Sequence, residues 1–194
     1  MLPDATLLSA TLFRATLPTA TLGSNKEGSF SCMQMRGRQG RKITVITCYR
    51  VSQSTGAGLG EGTEFIQQES LLRMKGQEYP NPRAYCLEAV QSFIESEKRR
   101  GHNIILSMDA KSTTQEGVND FTAMIRNTGM VDAISHLHGA NLPRTYLNGQ
   151  LRLEYMLVTP GIFPFLRRAG HFGIHEAIPS NSIQHPTWSD GIAS

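Results

Sequence analysis

Asn103-Ile104-Ile105-Leu106-Ser107-Met108-Asp109-Ala110-Lys111 is the stretch on which the reading of this chain turns. Ile104-Ile105-Leu106 is a continuous apolar run, the pattern of a strand covered on both faces. A charged helix tail, 95–100, closed by Gly101, precedes it, and a polar loop, Ser112-Thr113-Thr114, follows. Between strand and loop stands Asp109, a carboxylate that is costly to bury without a partner. Apolar strand, acid, polar loop is how many α/β enzymes present a reactive side chain at a sheet edge. The plainer alternative is that Asp109 only caps the turn.

Outward from this strand, the sequence N-terminal to it supplies a hairpin and two helices. Residues 29–35 alternate weakly, and Ile43-Thr44-Val45-Ile46-Thr47-Cys48-Tyr49 is β-branched and apolar, so both are expected as strands. The turn between them carries Arg36, Arg38, Arg41 and Lys42, a basic tip that suits phosphate contact or simple solvation. Residues 52–62 hold Gly56, Gly58, Gly60 and Gly62, without the lysine or spacing of a nucleotide-binding loop, and read as a loop. A helix is expected over 62–75, with Phe65, Leu71, Leu72 and Met74 available for burial. A second is capped by Asn81-Pro82 and buries Tyr85, Leu87, Val90, Phe93 and Ile94. Its basic end, Lys98-Arg99-Arg100, complements the helix dipole.

C-terminal to the central strand, a short helix over 121–128 stops at Gly129. Asp132, His136 and His138 follow at spacings that suit a metal, but no further local ligand accompanies them, which favours a structural role. Thr145 to Gly149 reads as a strand and turn, 151–158 as a second strong strand, and 169–175 as a weak one. Glu154 sits among apolar neighbours and needs a partner; Arg152, two residues away on the same face, is the expected one.

The whole chain has 194 residues, 39% hydrophobic and 18% charged, with net charge +3 and pI near 8.9. These values fit one globular domain with or without a tail, and tolerate a polyanionic partner without requiring one. Cys32, Cys48 and Cys86 lack metal-site spacing and are expected as reduced, buried thiols in an intracellular protein, with the nucleus one destination and secretion excluded. No apolar run reaches the ~20 residues of a membrane span. Residues 1–27 repeat Ala-Thr-Leu with a period of five, which keeps no face apolar. They read as low-complexity filler, or as a transit peptide interrupted by Pro3, Asp4 and Pro18, followed by a domain over 28–194.

The ordered set of pieces resembles the endonuclease/exonuclease/phosphatase superfamily, and within it the endonuclease-type domains of non-LTR retrotransposons and related reverse-transcriptase-linked frames. The carrying pieces are Val45 to Val51 as an early core strand, Ile104 to Lys111 as the G-D-x-N strand, and Gly129-Met130-Val131-Asp132-Ala133. Thr145-Tyr146 and Arg152-Leu153-Glu154-Tyr155-Met156-Leu157-Val158, as the R-[I/L]-D-Y strand, complete the set. Coverage runs over about residues 28–182. The resemblance implies an α/β fold: an incomplete two-sheet β-sandwich flanked by helices, the deoxyribonuclease-like four-layer α/β/β/α arrangement.

The resemblance also implies Mg²⁺-dependent hydrolysis of a phosphodiester or phosphomonoester. In that chemistry a hard cation takes carboxylate oxygens, a positioned water loses a proton, and donors stabilise the developing charge. Carried over position by position, Asp109 matches the Asp of G-D-x-N, which with the Asn positions the attacking water and the phosphate; it is the expected catalytic residue and a possible metal ligand. Glu154 stands for the Asp of R-x-D-Y. Lys111 stands where Asn belongs, and Asn181 and Ser182 where Asp and His of a closing S-D-H belong, with Ser189-Asp190-Gly191 a second remnant. The metal-binding Glu would precede residue 28, where the repeat stands, and the strand after S-D-H has no counterpart. The expectation is an internal piece of a nuclease-like domain, catalytically impaired in this copy, with nucleic acid as its partner and Arg36, Arg38, Arg41 and Lys42 as the binding cations. The rivals are a working phosphoesterase with Asp109 and Glu154 in a rearranged site, and a non-catalytic nucleic-acid- or protein-binding remnant.

Overall fold

The protein, seen in a computed structural model, is described over residues 8–9, 21–24, 29–37, 40–52, 64–114, 117, 119–139, 152–167 and 170–171. Phe30–Arg36 (β3) and Lys42–Tyr49 (β4) form the expected antiparallel hairpin, closing at the pair Arg36↔Lys42. Two helices, Glu64–Met74 (α1) and Pro82–Arg99 (α2), then return the chain to His102–Asp109 (β5), which runs parallel to β4. Asp120–Thr128 (α3), Val131–Asp132 (β6) and Ala133–His138 (α4) follow, and Glu154–Val158 (β7) adds antiparallel to β5. A 3-10 helix, Pro160–Phe165, comes next.

The segment expected as filler also enters a sheet. Thr21–Ser24 (β2), which begins inside the fourth Ala-Thr-Leu copy, pairs antiparallel with β3. Leu8–Ser9 (β1) pairs with Gly170–His171 (β8). Edge pairing needs only free backbone donors and acceptors, not an apolar face, so periodicity does not reveal it. The described strands form one mixed six-stranded sheet in the order β2-β3-β4-β5-β7-β6, plus the two-stranded pair β1-β8. The α/β class stands, whereas the expected two-sheet sandwich is not drawn by these strands.

The pleat of β5 divides the core. Ile104, Leu106 and Met108 face α2 and α3 and are fully buried with Ile46, Val90, Ile94, Phe121, Met124 and Leu157. Ile105 faces the other way, and packs with Met156, Val158, Ala133, Ile134 and Ile162 under α4 and the 3-10 helix. The continuous apolar run is thus explained: both faces are covered.

Helix ends follow the sequence closely. Asn81 Oδ1 accepts from Ala84 N at 3.1 Å with Pro82 in the first turn, and Asn119 forms a reciprocal capping box with Thr122. Gly129 ends α3 at φ 63°, the left-handed conformation that glycine adopts without penalty. Several expectations need correcting. Leu71 is 43% and Met74 84% exposed, because α1 turns only its Gln68–Leu72 stripe inward. The strand expected over 151–158 begins at Glu154. Cys48 and Cys86 are buried free thiols 3.6 Å apart, but Cys32 is half-buried. Finally, Glu97, in the charged tail of α2, is buried. It accepts from Gln34 Nε2 at 2.7 Å, Thr44 Oγ1 at 2.9 Å and Arg100 Nη1 at 2.5 Å. Charge composition alone conceals an acid whose partners lie 53 and 63 residues away.

Deletion of residues 1–25 tests the weight of the edge strand. Losing the β2–β3 ladder should cost about 1–3 kcal/mol, at a net ~0.5–1.5 kcal/mol per hydrogen bond. It should lower the urea midpoint without abolishing the cooperative transition; an unchanged midpoint would show that β2 adds nothing to stability.

Candidate functional site

Register builds the candidate site. Tyr49 pairs with Asp109 across β4 and β5, and Asp109 pairs with Glu154 across β5 and β7. Paired residues share one face of the pleat, so the three side chains form a row on the face opposite α2 and α3, at the C-terminal end of β5. The two carboxylates singled out in the sequence, Asp109 and Glu154, thus meet at one sheet end. Directly opposed like charges repel, so this row calls for a cation.

That cation is Lys111. Its Nζ lies 2.7 Å from Asp109 Oδ2 and 5.5 Å from the centroid of the Tyr49 ring. Asp109 Oδ1 is buried and accepts no hydrogen bond among the described residues. Lys111 has φ 47°, alone among the described non-glycine residues in the left-handed region. Asparagine is several-fold enriched there and lysine is not. The position therefore has a backbone that suits asparagine, filled by a side chain that brings charge instead of an amide.

Arg152 does not serve Glu154. Its guanidinium forks onto Asp132, with Nη2 2.9 Å from Oδ1 and Nη1 on Oδ2, and its Nε donates to the Glu154 backbone carbonyl at 3.0 Å. Asp132 also caps α4 through Ile134 N and accepts from Ser135 Oγ. Burial opposes its ionisation, but the hydrogen bonds from Arg152 and Ser135 outweigh that cost and hold its pKa below 3.8. Asp132 is thus a structural acid. His136 stacks on Phe163 at 4.2 Å, which fits the structural reading of the Asp132, His136, His138 cluster. Tyr155, the aromatic of the R-x-D-Y match, packs on Phe121 at 4.7 Å. Its hydroxyl donates to Arg152 O and accepts from Thr114 N, fastening the loop after Asp109 to β7.

The basic turn lies at the other end of the sheet. Lys42 pairs with His102, the first residue of β5, so the turn is roughly 23 Å from Asp109 at about 3.3 Å per residue. Lys42 Nζ donates to the Arg100 carbonyl at 3.2 Å, and Arg41 lies over the Phe165 ring at 4.2 Å. Arg36 is exposed. Arg38, Thr145, Tyr146, Asn181, Ser182 and the glycine loop lie outside the described residues.

A divalent cation fits this row poorly. Magnesium needs near-octahedral oxygen ligation. The orphan Asp109 oxygen and the neighbouring Glu154 would begin such a set, yet Lys111 already holds the other Asp109 oxygen. No cluster of three or more His, Cys, Asp or Glu suited to a metal occurs among the described residues.

The sequence matches no protein-family model and no curated protein. Its fold is similar in part to solved structures. The 3′ phosphatase NExo from Neisseria, bound to a product DNA hairpin, is 14% identical with a TM-score of 0.42, over 81% of this chain and 67% of that one. The human Nocturnin catalytic domain is 10% identical with a TM-score of 0.43, over 68% of this chain and 41% of that one. The beta toxin from Staphylococcus aureus is 14% identical with a TM-score of 0.38, over 68% and 43%. This chain therefore spans between 41% and 67% of the length of these three.

Two substitutions probe the local physics. Lys111→Ala keeps the left-handed strain and loses the ion pair; Lys111→Gly loses the pair but relieves the strain. The glycine variant should be the more stable by about 1 kcal/mol, the reverse of the usual order, measured by urea unfolding. Arg152→Met should cost about 3 kcal/mol by stranding the largely covered Asp132 carboxylate. It should also raise the Asp132 pKa seen by NMR. Because the native pKa is depressed, the pair's stabilisation is present at neutral pH and lost as pH falls through and below 3.8, so the variant should show a shallower loss in acid.

Proposed function

We propose that this chain is a nuclease-like phosphodiesterase domain of the retrotransposon endonuclease type, catalytically impaired in this copy. The observation that carries the reading is the Lys111–Asp109 ion pair at 2.7 Å in a left-handed turn suited to asparagine. A strand ending in Asp109, paired in register with Glu154, supports descent from a phosphoester-cleaving site. An ammonium in place of the amide supports impairment. It neutralises Asp109, brings no acceptor to align an attacking water, and competes with any cation for the same oxygen.

Under this reading the row keeps its charge balance without its chemistry. Two carboxylates at adjacent register positions need a positive partner, and Lys111 supplies one from within the chain. Asn181 and Ser182, at the positions of the closing acid and histidine, offer neither a charge pair nor a proton donor for the leaving oxygen. Loss of such a donor typically slows reaction by about 10²–10⁴-fold. Mg²⁺ and nucleic acid belong to the proposal as the ancestral cofactor and substrate. A rearranged working site remains the rival that turnover decides. The non-catalytic binding reading has less support, because Lys42 and Arg41 already have intramolecular partners.

Purified full-length chain should leave supercoiled plasmid and an abasic duplex uncut in Mg²⁺, at the level of EDTA controls. The triple change Lys111→Asn, Asn181→Asp, Ser182→His should give partial recovery at best, and only at high Mg²⁺. Robust EDTA-sensitive cutting by the unmodified chain, lost in Asp109→Ala, would overturn the impaired reading in favour of a rearranged site.

A further inference from the structure

On the opposite, helix-bearing side of the same sheet end lies a cavity of about 450 Å³ that the nuclease-like row does not use. Arg50, Arg83, Ser112, Asn81, Asp120 and Phe65 are on its wall. Arg50 directly follows Tyr49 and is only 4% exposed. Its Nε donates to Arg83 O at 3.2 Å, and its Nη1 to Ser112 Oγ at 2.7 Å and Ala110 O at 3.4 Å. Arg83, in the first turn of α2, donates to the carbonyls of Val51 and Lys111 and to Ser112 Oγ at 3.4 Å.

Two guanidinium groups therefore converge on one hydroxyl. The only carboxylate on the wall among the described residues is Asp120, which is 73% exposed and stands 3.9 Å from Arg50 Nη2, beyond hydrogen-bond distance. Burial and the Arg83 charge lower the Arg50 pKa to about 10, the mark of a cation short of countercharge. Arg50 Nη2 has only the distant Asp120 carboxylate as a partner among the described residues. Because Ser112 Oγ accepts from both arginines, its own proton must point elsewhere. Asn81 uses its oxygen to cap α2, which leaves its amide hydrogens to give. The wall thus offers charged and neutral donors against one solvated acceptor, and the N-terminal ends of α2 and α3 add positive potential.

We propose that this cavity binds a phosphate group, held by Arg50, Arg83 and Ser112, with the Phe65 ring beside it. Planar guanidinium forks match phosphate oxygens better than any other side chain. The source is either free phosphate or the 5′-phosphate end of a nucleic-acid strand, for which Phe65 offers a stacking surface. The site is independent of the nuclease-like reading, since Asp109 and Glu154 lie on the other face and take no part in it.

The test uses the full chain. Inorganic phosphate is titrated by calorimetry, with the Arg50 side-chain Nε–Hε resonance followed by NMR. Trinucleotides with and without a 5′-phosphate are titrated in parallel. Phosphate should bind and move the Arg50 resonance, more weakly as salt rises. Asp120→Asn, which removes the competing carboxylate from an exposed position, should tighten binding by about threefold. Ser112→Ala and Arg83→Gln should weaken it, the latter by about tenfold or more. Arg83→Gln also removes carbonyl contacts, so Asp120→Asn and Ser112→Ala carry the test if that variant fails to fold. Preference for the 5′-phosphorylated trinucleotide over phosphate assigns the nucleic-acid source, and equal affinity assigns the free anion; both sustain the site. No shift of the Arg50 resonance with any probe, or affinity that ignores Asp120→Asn and Ser112→Ala, would overturn it.

Discussion

Burial of β5 on both faces is the constraint from which the rest follows. A strand with Ile104, Leu106 and Met108 on one side and Ile105 on the other cannot slip by one residue without exchanging two different sets of packing partners. Its register is therefore held against β4 and β7 together. That register, and nothing local to the acids, aligns Tyr49, Asp109 and Glu154 in one row. Helices on one face and the α4 and 3-10 segments on the other need only cover a surface already defined.

The end of β5 is where apolar packing gives way to charge. Asp109 is the last residue of the strand, and the loop after it feeds both faces of the sheet. On one face Lys111 turns back, through an unfavourable backbone conformation, to reach Asp109. On the other, Ser112 sits between Arg50 and Arg83. A three-residue segment thus separates an acidic row with an internal cation from a cationic cavity with little countercharge. Tyr155 ties this segment to β7 through Thr114.

Each buried charge elsewhere has a long-range partner. Arg152 reaches Asp132 across 20 positions, and Glu97 collects Gln34, Thr44 and Arg100 around a carboxylate that is 1% exposed. Breaking such sets is expensive because the partner stays behind without compensation. They make the joints between β6 and β7, and between α2 and the hairpin, specific as well as apolar.

Much of this was legible in the sequence because periodicity and capping are local. The apolar run of β5, the β3–β4 hairpin, the Asn81 helix start and the Gly129 stop all follow from residue type and spacing. What tertiary structure alone decided is which partner each polar group takes. Arg152 stands two residues from Glu154 in sequence yet binds Asp132. Glu97 belongs to a charged helix tail in sequence yet is buried. The basic turn and the acidic row, each suited to a nucleic-acid reading, lie at opposite ends of the sheet. Arg50 and Arg83, 33 residues apart, share one hydroxyl. Burial tendency is written into each residue's side chain, whereas the choice among charged partners depends on distances that exist only once the sheet and helices have packed.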